Sequence, residues 1–359
     1  MIDLGLLKLI FAFVVAFLVA YASTPIVKIL AFKIGAVDVP KDKRRMHKKP
    51  TARIGGLAIF YGFIVSILCF ADIDTELRGI LIGSLVIVIL GVFDDIYSLN
   101  ALFKFVVQIC AALIVVMHGV RMEYFSTFGI GDAPYIALGI WAVPITVLWI
   151  VGVTNAVNLI DGLDGLAAGV STISTISLLA ISLIMEEPAV AIVTAAVAGA
   201  GFGFLPHNIH PAKIFMGDTG ATFLGFILAS ISVVGLFKSY AVISLAVPFL
   251  ILGLPIFDTS FAIIRRLLKG QSPMHPDRGH VHHRLIDLGF DQAQTVRILL
   301  IASGLLSLSA VVLLVCGVHR AIILILAVML LSLFGLKMAQ IRQKEKLNIP
   351  TESENEENE

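Results

Sequence analysis

A succession of long apolar runs leaves this chain few ways to fold. Leu9 to Val27 carries no charge, and at 1.5 Å rise per residue such a run crosses a hydrocarbon core about 30 Å thick. Ten more runs follow, near 54–71, 79–93, 103–119, 135–154, 167–185, 188–205, 220–237, 240–264, 298–317 and 319–336. Charged residues make up only 14% of the 359, against about 25% in soluble domains. The expected fold is therefore all-α, a polytopic membrane protein of about eleven spans. The run at 79–93 is short and that at 103–119 begins at Lys104, so both draw on flanking residues or snorkel.

Only Lys8, offset by Asp3, precedes the first run, and no small-residue cleavage site follows it. It reads as a retained span rather than a leader. Cys69, Cys110 and Cys316 fall in or beside apolar runs, which argues against a disulfide framework or zinc cluster and assigns them to packing.

Eleven spans put the loops after spans 1, 3, 5, 7 and 9, with the C-terminal tail, on one side. Of the 26 lysines and arginines, only Lys8, Arg78, Arg121, Lys238 and Arg320 fall on the other. The positive-inside rule makes the basic side cytoplasmic and the N-terminus external. The net charge of +1 conceals this asymmetry because acids are localised too, several in the tail "TESENEENE". Residues 1–340 are expected to form one transmembrane domain and 341–359 a disordered acidic tail.

The polar sequence gathers in the basic-side loops. In "FDDIYSLNALFK" (93–104) the adjacent Asp94 and Asp95 follow an apolar helix end. Two carboxylates in a low-dielectric setting cannot both stay charged cheaply and call for a cation, magnesium or a proton; a solvated helix end is the plain alternative. In "NAVNLIDGLDGLAAG" (155–169), Asn155, Asn158, Asp161 and Asp164 recur at every third position, with Gly162 and Gly165 leaving room for a ligand. Amides suit sugar hydroxyls or a nucleobase, and carboxylates a metal or a ribose. A capped helix end with an Asx turn accounts for these four equally well on their own.

"FMGDTG" (215–220) sets Asp218 between two glycines just before an apolar run. A helix N-terminus there is a natural phosphate site, and its aspartate can hold the magnesium that screens a diphosphate, or simply cap the helix. "HPDRGHVHHRL" (275–285) carries His275, His280, His282 and His283 among Arg278 and Arg284. With no cysteine nearby, this set suits an anionic phosphate better than zinc. The polybasic 41–49 segment reads mainly as an orientation signal that attracts anionic lipid, with His47 and Arg53 as further candidates. Asp258, inside an apolar run, is a functional candidate, or equally a cap after the break at Pro255 or a partner for Arg265 or Arg266.

Acids at the inner ends of spans, rather than at the bilayer midplane, favour a membrane-surface enzyme. The rival reading is a proton-coupled transporter whose acids form a relay, but the inverted repeats that would mark one are not evident.

These four motifs, in this order and on alternate loops, resemble the polyprenyl-phosphate N-acetylhexosamine-1-phosphate transferases over residues 40–300. The resemblance implies magnesium-dependent transfer, with Mn2+ as a substitute metal, of a sugar 1-phosphate from a UDP-sugar to a membrane polyprenyl phosphate with release of UMP. It implies a multi-pass protein of the plasma membrane acting at the cytoplasmic face, with no nucleic-acid partner and with homodimerisation by analogy. Asp218 becomes the prime magnesium ligand, and Asp94 and Asp95 handle the acceptor phosphate or the metal, in one step or through a covalent intermediate. Lys104 matches the family's active-site lysine, a few turns past the acids if the helix is continuous. Asn158, Asp161, Asp164 and Asn208, with Asn155 a weaker member, match nucleotide- and sugar-binding positions. Arg278, His280, His282, His283 and Arg284 match the substrate-contacting loop. Phospho-N-acetylmuramoyl-pentapeptide translocases carry three consecutive histidines in that loop. "HPDRGHVHHRLIDLGF" instead resembles the branch that uses UDP-N-acetylglucosamine to begin teichoic acid, O-antigen or similar surface glycans.

Overall fold

The computed structural model describes residues 4–39, 50–126, 135–236, 246–271, 279–327 and 329–330. Among them the chain forms α1 Leu4–Ile34, α2 Gly56–Phe70, α3 Thr75–Tyr97, α4 Ala101–Met117, α5 Ala142–Leu159, α6 Leu166–Ile184, α7 Pro188–Asn208, α8 Gly217–Leu236, α9 Ala246–Ile251, α10 Gly253–Leu268, α11 Val281–Asp287 and α12 Gln292–Cys316. A further apolar helix, α13, covers Val318–Ala327. Two short antiparallel ribbons, absent from the sequence expectation, pair β1 Val37–Asp38 with β2 Thr51–Ala52 and β3 Tyr124–Ser126 with β4 Tyr135–Ala137.

Every expected apolar run contains helix, so the all-α polytopic class holds. Among the described residues seven helices are long and apolar enough to cross a membrane: α1, α3, α5 with its preceding turn, α6, α7, α8 and α12. Helices α2, α4 and α13 are apolar but shorter. The run at 240–264 is broken at Leu252 into α9 and α10.

Several starts are set by side chains that accept the free N–H groups of a first turn. Asp74 accepts from Leu77 at 2.8 Å ahead of α3, and Asn100 from Leu102 at 2.8 Å ahead of α4. Asp291 and Gln294 form a reciprocal capping box before α12.

Helix α8 is the centre of the bundle, packed between α3 and α5, with Ala221, Phe223, Phe226, Ile227 and Leu228 fully buried. Lipid is as apolar as leucine, so close backbone approach rather than the hydrophobic effect must join such helices. The seam of α1 with α7 shows how. Ala12, Ala16 and Ala20 line the buried face of α1, and Gly199 and Gly203 of α7 lie so close that a Cβ on either would strike the carbonyls of Phe13 and Phe17. Gly203→Leu would force the two helices apart. The cysteines do not pack as expected: all three are free and exposed, on faces that would meet lipid.

Candidate active site

Described residues that follow α1, α3 and α5 meet those between α7 and α8 at one end of the bundle, around the start of α8. That helix begins at Gly217 with φ +72, a backbone setting that favours glycine, and a side chain there would also strike the Arg53 carbonyl. The N–H groups of Asp218 and Thr219 donate to Asp95 Oδ1 and Oδ2 at 2.9 and 3.0 Å, and Thr219 Oγ1 donates to Oδ2 at 2.7 Å. Arg53 Nε lies 3.1 Å from Asp95 Oδ1. A carboxylate has about four lone-pair directions, and these donors fill them. Asp95, its side chain 0% exposed, thus ties α3 to the positive end of α8.

Backbone bonds carry Arg53 to the same place. Phe215 N–H donates to Ala52 O at 2.8 Å, Gly55 N–H to Phe215 O at 2.9 Å and Gly56 N–H to Met216 O at 2.8 Å. The segment bearing Arg53 is therefore stitched to the segment that leads into Asp218.

Asp218 sits in the first turn of α8 with its side chain 21% exposed. Asn158 Nδ2 and Arg53 Nη2 approach its Oδ1 at 3.3 and 3.5 Å, while Lys104 Nζ reaches Oδ2 at 3.3 Å. Lys104 also donates to Asp94 Oδ2 at 2.7 Å, and Asp94 Oδ1 accepts from Leu99 N–H at 2.7 Å. On one continuous helix Asp94 and Lys104 would stand about 15 Å apart. The helix is not continuous: Ser98 adopts φ 53 and Asn100 caps a new helix, which folds Lys104 back onto the acids.

The remaining candidates form a surround. Asn155 and Asn158 lie on α5, but Asp161 and Asp164 fall in the turn that follows it. Asp161 accepts no hydrogen bond among the described residues; burial, followed by the charges of Asp218 and Asp95, pushes its carboxyl up to about 8. Burial works against the charge of Arg53, but Asp95 and Asp218 outweigh it and raise its pKa. Asp164 holds His210 Nδ1 at 2.8 Å and the Ala212 N–H at 3.1 Å. Asn208 is buried, accepts from Gly165 N–H at 3.1 Å and donates to Ile214 O at 3.0 Å. Asn155 donates to Gln108 Oε1 at 2.6 Å and to Val151 O at 2.8 Å. Asp164, Asn208 and Asn155 thus each bind one segment of the protein to another.

Asp258 holds His280 Nδ1 at 2.8 Å and accepts the Val281 N–H at 2.9 Å, anchoring the start of α11. The His280 ring lies 5.7 Å from that of His282, and His282 lies 4.2 Å from His283. Buried His282 closes on the Asp161 turn: a Cβ on Gly162 would stand 2.7 Å from its Nε2. Burial, then the neighbouring His283 charge, lowers its pKa to about 4. Arg284 lines a cavity of about 430 Å³ between α10 and α11 with Phe261, Ile264, Arg265, Leu268 and Lys269. Arg278, His47 and His275 lie outside the described residues, as does the tail.

Sequence reasoning left Arg53 without a role and did not single out Gln108, Thr219 or His210. A lone amide at Gln108 inside an apolar run was a usable signal. Nothing local in the sequence marks His210 as the partner of Asp164.

Among the described residues no three His, Cys, Asp or Glu side chains group into a ready ligand set. Magnesium needs no such cage, since it commonly takes one or two carboxylates and completes its shell with water and substrate phosphate. Asp218 fits that mode: it is partly exposed and already attracts a cation to each oxygen.

Glycosyl transferase family 4 matches residues 77–236. The chain is 42% identical over 319 residues, 87% of each chain, to a probable undecaprenyl-phosphate N-acetylglucosaminyl 1-phosphate transferase of Bacillus subtilis. It is 33% identical to a decaprenyl-phosphate N-acetylglucosaminephosphotransferase of Mycolicibacterium smegmatis, covering 82% of this chain and 79% of the relative. An undecaprenyl-phosphate alpha-N-acetylglucosaminyl 1-phosphate transferase of Yersinia pestis is 27% identical, with 82% of both chains covered.

Proposed function

This chain belongs to glycosyl transferase family 4, and we propose that it transfers N-acetylglucosamine 1-phosphate from UDP-N-acetylglucosamine to undecaprenyl phosphate, releasing UMP. The product begins a cell-surface glycan such as teichoic acid or O-antigen. The observation that carries this reading is Asp218, a partly exposed carboxylate at the start of a buried helix, held between Arg53 and Lys104. That is an arrangement for phosphoryl groups rather than for a proton path.

An oxygen of the lipid phosphate attacks the sugar-linked phosphorus in line, and the bond from that phosphorus to the UMP oxygen breaks as the new one forms. Catalysis is then mostly positioning and charge stabilisation. Asp218 would hold Mg2+, which when bound neutralises diphosphate charge; Mn2+ would suit the same oxygens. Asp94, steered by Lys104, faces the acceptor phosphate, and Asp95 keeps the frame in place. Asn158 and Asp161 line the donor side, with His282 closing over their turn. The apolar wall and basic rim of the α10–α11 cavity suit an anionic lipid at the membrane surface. The site faces the cytoplasm of a plasma-membrane protein, as the distribution of lysines and arginines supports, and a homodimer is its proposed assembly.

The test is turnover of purified protein with magnesium and polyprenyl phosphate, comparing UDP-N-acetylglucosamine with UDP-N-acetylmuramoyl-pentapeptide. UMP and lipid-linked product from the first donor alone are expected, and Asp218→Asn should abolish them in a folded protein. Product from the second donor alone would move the chain to the other branch.

A further inference from the structure

Arg53 has no assigned part in this chemistry, yet its position is as tightly determined as that of Asp218. Its own N–H donates to Ala36 O at 3.0 Å, and the residues on both sides of it are bonded to the 215–216 segment. Its Nε is tied to Asp95, which fixes the plane of the guanidinium. Among the described residues the group uses Nε on Asp95 and Nη2 on Asp218, out of five N–H donors. The Nη2 contact, at 3.5 Å, is at the edge of hydrogen-bond range. The side chain is 35% exposed, against 0% for Asp95, so the unspent donors look outward from a rigid base.

The two oxygens of Asp218 also divide the site. Lys104, paired with Asp94, lies on the Oδ2 side; Arg53 and Asn158 converge on Oδ1. Asn158 leads directly into the turn that carries Asp161. A planar cation with spare donors on that side matches a diphosphate, whose paired oxygens accept a guanidinium fork in a way an ammonium cannot reproduce.

Resting on the transferase reading, we infer that Arg53 is a substrate-binding residue that grips the diphosphate of the nucleotide-sugar donor, with Asp95 acting through it as a positioning residue. The acceptor lipid does not use it.

Steady-state kinetics of Arg53→Gln and Arg53→Lys, varying donor and acceptor separately, tests this alongside equilibrium binding of UDP without acceptor. Arg53→Gln should lower kcat/KM for the UDP-sugar about 50-fold, the scale of one lost charge-assisted contact, and weaken UDP binding in parallel. KM for polyprenyl phosphate should stay within about twofold, as a donor-side contact requires. Arg53→Lys keeps the charge and the reach to Asp95, and should recover only part of the loss. Equal damage to donor and acceptor parameters in both variants would show that Arg53 only braces Asp95. Unchanged donor kinetics would overturn the assignment outright. Wild-type protein that binds UDP but turns over no UDP-sugar, with binding lost in Arg53→Gln, would refute the transfer reaction and keep the Arg53 site.

Discussion

Asp95 on α3 accepts two backbone N–H groups of the first turn of α8, those of Asp218 and Thr219, so one buried carboxylate fixes where the partly exposed Asp218 stands. Adjacent Asp94 and Asp95 therefore do different work. Asp94 meets Lys104 at the edge of the site, and Asp95 is spent on the scaffold.

Asp95→Asn should cost about 3 kcal/mol of stability, because an amide nitrogen would face donors at a fully buried position. Turnover should fall about 100-fold or more, the usual effect of a small displacement of a catalytic group. Thermal melting in detergent alongside UMP release checks both. A native melting curve would contradict the scaffold role.

Lys104 and Asp94 form one unit and should fail as one. Lys104→Gln and Asp94→Asn should each lower turnover about 100-fold, and the double variant should be little worse than the poorer single. Strict additivity in that cycle would mean that the 2.7 Å pair does not act jointly.

His282 gives a pH signature. Its folded pKa is near 4, below the ordinary value of about 6.5, so the unfolded chain takes up its proton first as pH falls. Its stabilising contribution is complete above about 6.5 and is lost between there and 4, by at most about 1.4 kcal/mol per pH unit. Melting curves from pH 7 to 4 should show a shallower acid decline in His282→Gln than in wild type. Parallel declines would refute the assignment.

Asp258→Asn should release α11 locally rather than unfold the protein. Loss of the charged acceptor for His280 and Val281 should raise amide exchange across Val281–Leu285 about tenfold, with α12 unchanged. Exchange that rises equally in both helices would point to general destabilisation instead.

How much of this was legible in the sequence depends on the range of the interaction. Apolar runs and their capping residues act within a few positions, and the helices appear where hydropathy and Asp74, Asn100 or Asp291 place them. The described residues of the motif loops also come together at one end of the molecule. What sequence could not provide was division of labour among like residues. Asp95 differs from Asp94 only because α8 arrives beside it, and Asp164 is drawn to His210 by a loop 46 positions away. Arg53 stood out as a candidate without a part to play, since its position depends on backbone pairing with 215–216. The break at Leu252 was missed for a related reason: hydropathy registers burial and not backbone direction.

The link between Asp95 and α8 also sets an order of assembly. Asp95 must wait for partners made 123 positions later, a delay of about 10 s at ordinary rates of synthesis. Throughout that interval the nascent protein carries an acid at the end of α3 with no helix start to receive it. Every growing chain that stops short of Thr219 thus lacks the contacts that hold Asp95, and with them the fixed position of Asp218 between α3 and α5.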